Sequence, residues 1–123
     1  GTDVTVISYG TMVRECEQAM EILKEHVSVE LIDLRTIRPL DVDTIIASVK
    51  KTGRAVVVHE AQKTGGVGAE IVALINEHAI LSLKAPVERV AGDDVIVPLP
   101  KLEEYYVIDE KRIAEAVERV VNF

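Results

Sequence analysis

The richest chemistry in this sequence lies in one run, His59-Glu60-Ala61-Gln62-Lys63-Thr64-Gly65-Gly66-Val67-Gly68. Closely spaced glycines ahead of a helix let backbone N–H groups approach an anion, with the positive end of the helix behind them. Lys63 beside Thr64 would add a charge and a hydroxyl to such a cradle. The run nevertheless lacks the glycine spacing of a dinucleotide fingerprint and has no Gly-Lys-Ser/Thr ending. The simpler reading is that Gly65, Gly66 and Gly68 permit a tight turn and close helix packing. His59 is a residue type that exchanges protons near neutral pH, and Glu60 could act beside it. No serine or cysteine carries a signature that pairs it with this histidine, so its simpler role is a hydrogen bond to neighbouring loops.

Other chemical residues are more scattered. Asp33, Arg35 and Arg38 bracket the end of a β-rich run; they either bind an acid or form an ion pair that holds the loop before Pro39. Asp93-Asp94 after Gly92 could serve a magnesium ion, but two carboxylates in a turn are usually solvated. His26, His59 and His78 lie too far apart in the chain to suggest a metal site. The single cysteine, Cys16, excludes an internal disulfide and a cysteine-based zinc cluster.

The elements that must position these residues follow from hydrophobic periodicity. Residues 4–8 are β-rich and end at Tyr9-Gly10-Thr11; Met12, Cys16, Ala19, Met20 and Leu23 then fall at helical spacing, with Thr11 as the expected N-cap. Residues 27–34 read as a second strand and 35–40 as a connection. Asp41 should cap a helix through Val42, Ile45, Ile46 and Val49 that Gly53 stops. Residues 55–58 are apolar without interruption, as in a parallel sheet covered on both faces. A helix through Ala69, Val72 and Ile75 follows the glycine-rich run, and a short strand is expected at 87–91. Residues 93–106 read as irregular with a short extended piece, before a closing helix capped by Asp109. Alternation of this kind implies a mostly parallel sheet with right-handed crossovers and helices on both faces.

With 123 residues, the chain is the size of one domain. It is 48% hydrophobic but only 3% aromatic, so Val, Ile, Leu and Ala must build the core. A formal net charge of −7 disfavours nucleic acid and anionic membranes, whose phosphates would be repelled, and favours a basic protein partner. No apolar run approaches the ~20 residues that span a bilayer. No secretory leader is recognisable at the start, so a cytoplasmic location is expected.

Taken together, Ser8-Tyr9-Gly10, Ile32-Asp33-Leu34-Arg35-Thr36-Ile37-Arg38-Pro39-Leu40-Asp41, Lys51-Thr52-Gly53-Arg54 and Val58-His59-Glu60-Ala61 through Gly65-Gly66-Val67-Gly68-Ala69-Glu70-Ile71 run in a familiar order. They resemble the carboxy-terminal domain of the beta subunit of the thiamine-dependent 2-oxo acid dehydrogenase first component, over nearly the whole chain. Pyruvate, branched-chain 2-oxo acid and acetoin dehydrogenases belong to that group. The same domain type closes transketolase, which stays as an alternative parent. One departure is Pro98-Leu99-Pro100, where the family commonly has a Pro-Tyr or Pro-Phe pair.

The resemblance implies a three-layer α/β/α domain spanning residues 1–123, with a mostly parallel five-stranded sheet and one antiparallel strand. It implies a parent enzyme that decarboxylates a 2-oxo acid with thiamine diphosphate and magnesium and passes the acyl group to a lipoyl arm. The cofactor-binding and catalytic residues belong to other domains of the family, so none is expected in this chain. The implied partners are an alpha subunit, a second beta subunit and the basic subunit-binding domain of the dihydrolipoyl acyltransferase, with Glu88 and Phe123 as candidate docking residues. Two other classes of function remain open: a regulatory module binding a small anion over Arg35, Lys63, Gly65, Gly66 and Gly68, and a free-standing enzyme using His59 and Glu60. A domain taken from a larger subunit should also expose an apolar patch.

Overall fold

The computed structural model describes residues 1–96 and 106–123. In chain order the elements are β1 (Val4–Ser8), α1 (Met12–Leu23), β2 (Val29–Asp33), α2 (Val42–Thr52), β3 (Ala55–Gln62), α3 (Val67–Ala79), a 3-10 turn (Ile80–Ser82), β4 (Glu88–Gly92) and α4 (Glu110–Val121). The strands lie in the order β2-β1-β3-β4, and every pairing is parallel. The sheet thus has four strands among the described residues, where five with one antiparallel were expected. The extended piece expected within residues 93–106, and the Pro98-Leu99-Pro100 departure, fall largely outside the described residues.

Side chains alternate across the sheet with a period of two, and the two sets feed separate cores. Val4, Val6, Val56 and Val58 pack with Cys16 and Leu23 of α1 and Ile113 and Val117 of α4. Ile7, Ala55 and Val57 pack on the opposite face with Ile45 and Val49 of α2 and Ile71 and Ile75 of α3. The result is three layers, which is why the first half of β3 is apolar on both sides and β1 buries all five of its residues, Thr5 and Ser8 included. Ile71 and Ile75 are fully buried, and each such side chain contributes about 1.5–3 kcal/mol. Cys16 is a core residue; burial pushes its thiol up to about 11.

The helix ends follow local chemistry. The Asp41 carboxylate accepts from the Thr44 N–H at 3.1 Å and starts α2; Gly53, at φ +73°, ends it by donating to the Val49 carbonyl at 2.8 Å. Asp109 accepts from the Arg112 N–H at 2.8 Å and starts α4. Thr11 does not cap α1: its backbone is already helical and its side chain makes no cap bond. Gly10, at φ +62°, turns the chain there instead. Strand β2 is shorter than expected at both ends, and β3 is four residues longer, because Gln62 still pairs with Gly92 of β4.

Candidate functional site

In this strand order the chain leaves β1 for β2 on one side and leaves β3 for β4 on the other. The carboxyl ends of β1 and β3 are therefore the switch point at which open α/β sheets take their ligands. Tyr9 follows β1 and His59 lies near the end of β3. Their rings stack across the switch point with centroids 6.1 Å apart and planes inclined at 28°.

His59 is completely buried. An irregularity between His59 and Gln62 interrupts the pairing of β3 with β4, and within it the Ala61 carbonyl lies 2.9 Å from His59 Nδ1. A carbonyl only accepts, so the proton sits on Nδ1 and Nε2 carries the lone pair. That Nε2 has no hydrogen-bond partner among the described residues. Gly66 and Gly68 close over the ring: a Cβ at Gly66 would stand 2.8 Å from His59 Cε1, and one at Gly68 only 2.5 Å from Nε2. Gly65, at φ +73°, makes the preceding turn. Burial first, and then the Arg89 guanidinium, hold the His59 pKa below its ordinary value of 6.5. The glycines make room for an imidazole.

The loop above is fastened to the end of β4. The Asp94 carboxylate accepts from the Thr64 N–H at 3.0 Å and also from the Thr64 hydroxyl. Both bonds hold Asp94 below the ordinary carboxylate value. Lys63 donates its N–H to the Gly92 carbonyl at 3.0 Å, and its own carbonyl accepts from Arg89 Nη1 at 2.9 Å. Gln62 Nε2 donates to the Val95 carbonyl at 2.9 Å. An anion approaching the Thr64 amide would meet a carboxylate already seated there.

The remaining candidates are spread out. Glu60 is exposed and lines a hollow of about 510 Å³ with Ala61, Val95, Ile96, Tyr106 and Val107, so it does not form a pair with the inward-facing His59. Arg35, whose side chain is largely exposed, pairs with Asp33 at 2.6 Å. Strand β1 lies between the strands that carry Arg35 and Lys63, so the structure does not gather them into one cradle. Arg38 lines a mostly apolar hollow of about 550 Å³ with Ile37, Leu40, Val42, Val67 and Leu74. Glu88, on β4, the outermost strand among the described residues, is held by Arg119 of α4, whose Nε donates to Glu88 Oε1 at 3.0 Å. Phe123 is 80% exposed. Among the described residues no group of three or more His, Cys, Asp or Glu side chains is placed to hold a metal.

Tyr9, Asp94 and Arg89 complete this edge, and periodicity pointed to none of their roles. Tyr9 sits in a strand-end stretch that the alternation marks as a candidate, but its stack on His59 spans 50 residues of sequence. Asp94 reaches Thr64 across 30 residues. Local sequence carries no trace of either contact.

Comparison with known proteins gives the frame for this edge. The family described as Transketolase, C-terminal domain matches residues 1–113. The chain is 51% identical to the pyruvate dehydrogenase E1 component subunit beta of Bacillus subtilis, and the match covers all of this chain and 38% of that protein. The corresponding Staphylococcus aureus subunit is 52% identical over the same shares. The solved structure titled "Split gene transketolase, inactive beta4 tetramer" superposes with a TM-score of 0.85 at 25% identity, covering 99% of this chain and 39% of that one. The chain thus spans little more than a third of the length of its curated relatives. With the layers, the sheet order and the family match over residues 1–113 in agreement, this chain belongs to the transketolase C-terminal domain family.

Proposed function

We propose that this chain is the carboxy-terminal domain of the beta subunit of a thiamine-dependent 2-oxo acid dehydrogenase first component, and that it works in assembly. The observation that carries the reading is the alignment: all of the chain matches a pyruvate dehydrogenase beta subunit at 51% identity, yet covers only 38% of it. The parent would decarboxylate pyruvate or a related 2-oxo acid with thiamine diphosphate and magnesium. The glycine-rich run does not suit that cofactor's diphosphate. Asp94 occupies the Thr64 amide, where a diphosphate would need open N–H groups, and His59 fills the space beneath Gly66 and Gly68.

Assembly is supported by what the surface leaves uncovered. Ile96 is 94% exposed and Val107 53% exposed beside the Glu60 hollow. Ile37 is 40% exposed at the mouth of the hollow formed with Leu40, Val42 and Val67. Such faces suit burial against the rest of the beta subunit, a second beta subunit or an alpha subunit. The net charge of −7 suits steering of a basic partner such as the acyltransferase's subunit-binding domain. Glu88 and Phe123 are the contacts assigned to that docking, and Arg119 holds the Glu88 carboxylate in place for it.

The test is a titration of the chain with the subunit-binding domain at low and high salt. Binding should appear at low salt, weaken as salt rises, and fall in Glu88→Gln. No binding at low salt overturns the docking assignment and leaves family membership untouched.

A further inference from the structure

The one described buried side-chain atom without a partner is Nε2 of His59, and such atoms in folded proteins call for an explanation. The ring is wedged between Tyr9, on which it stacks, and the turn holding Gly66 and Gly68, which leads into α3. Nδ1–H is committed to the Ala61 carbonyl at 2.9 Å. The lone pair on Nε2 therefore faces the first turn of α3, where backbone N–H groups form the positive end of a helix of 13 residues. A lone pair suits that place. A proton there has no acceptor, lies in a site without solvent, and faces the like-signed helix end.

We propose that His59 is a proton-operated latch on the carboxyl edge of the sheet: neutral, it holds the 62–68 loop and the start of α3 in place, and protonated, it lets them go. Charged and titratable groups approach the ring from several elements. From β1, Tyr9 stacks on the ring and would stabilise an imidazolium weakly, as its own ring is half-buried. From β3, Glu60 points to solvent. From β4, the Arg89 guanidinium opposes a second positive charge. From α3, the first-turn acid Glu70 lines the hollow beside Ile37 and Leu40. On the loop itself, the Lys63 side chain is exposed and Asp94 is engaged with Thr64. None of these supplies Nε2 with an acceptor, so opening is the route by which the ring can charge. The latch rests on geometry within this chain and stands whether or not the assembly reading does.

The experiment is amide hydrogen exchange of the whole chain at pH 7.5 and 5.5, corrected for intrinsic rates, on the wild type and His59→Asn. Asn keeps an amide donor near the Nδ1 position and does not titrate. If only the open form takes the proton, a group of ordinary pKa 6.5 raises the open population about tenfold at pH 5.5. Protection of residues 63–69 should fall by about that factor in the wild type and stay level in His59→Asn. Equal protection at both pH values in the wild type, or the same fall in both proteins, overturns the proposal. Nitrogen-detected spectra of the wild-type imidazole give a second readout that needs no variant. Nδ1–H at pH 7.5 is expected; an Nε2–H tautomer, or titration at the ordinary value, overturns the latch.

Discussion

A side chain on Gly68 and the imidazole of His59 compete for one volume: a Cβ at position 68 would stand 2.5 Å from Nε2 and 2.9 Å from Cδ2. The ring has little freedom to yield, since Ala61 and Tyr9 hold it on two sides. Alanine is favoured over glycine in a helix by about 1 kcal/mol, but overpacking a rigid core costs about 1–3 kcal/mol. Gly68→Ala should therefore destabilise the chain in denaturant unfolding. The same substitution in a His59→Ala background should cost less or become stabilising, because the two sites share one cavity. An additive double mutant would show that the two residues do not compete.

Asp94→Ala removes the only acceptor described for the Thr64 N–H and its hydroxyl. Amide exchange at Thr64 should quicken while α2 keeps its protection. The Asp94 carboxyl lies below its ordinary value of 3.8 in the folded chain. Its contribution is then complete above about pH 3.8 and is lost as pH falls through the lowered value. A carboxyl titration by NMR reads this directly, and a midpoint at or above the ordinary value would contradict the staple.

Thr5 anchors a buried polar chain between β1 and α2. Its Oγ1 lies 2.8 Å from Ser48 Oγ and 2.9 Å from Thr52 Oγ1, and Ser48 donates to Glu30 Oε1 at 2.6 Å. Thr5→Val keeps the shape but removes both contacts, leaving Ser48 its bond to Glu30 and Thr52 its bond to the Arg54 carbonyl, so the loss should be about 0.5–1.5 kcal/mol per bond in urea or thermal unfolding. Thr5→Ser, which retains the hydroxyl, should lose less. Equal losses would mean that the methyl group matters and the network does not.

Glu30 ends that chain and should contribute to the acid limb of stability. Lys51 and then Ser48, through hydrogen bonds, lower its pKa from 4.5 to about 2. A carboxyl depressed in the folded state binds protons more readily when unfolded. Its contribution is present above about pH 4.5 and is lost as pH falls towards 2. In Glu30→Gln the acid loss between these values should flatten, measured as unfolding midpoint against pH. An unchanged acid slope would place the sensitivity elsewhere.

Cys16 should behave as an inert thiol in the folded chain. It is 1% exposed, and burial lifts its pKa to about 11. A thiol reagent at pH 8 should label it only as fast as the protein opens, and quickly once unfolded. Rapid native labelling would contradict the packing of α1 on β1.

Much of the architecture was legible in the residues themselves. The β-branched runs of β1 and β3, the apolar stripes of α1 and α4 and the caps at Asp41, Gly53 and Asp109 are short-range signals, and short-range signals survive in sequence. The motif series around Asp33-Leu34-Arg35 and Gly65-Gly66-Val67-Gly68 also pointed to the family that the comparison bears out. The same glycines had two readings as bare sequence, an anion cradle or close packing. In the folded chain His59 lies under Gly68 and Asp94 bonds to Thr64, the arrangement that close packing describes. Strand order, and with it the switch point that Tyr9 and His59 fill, exists only after β3 crosses to the far side of β1. Period and propensity act over a few residues, whereas the Thr64–Asp94 and Tyr9–His59 contacts join residues 30 and 50 apart, and only the folded chain brings them within reach.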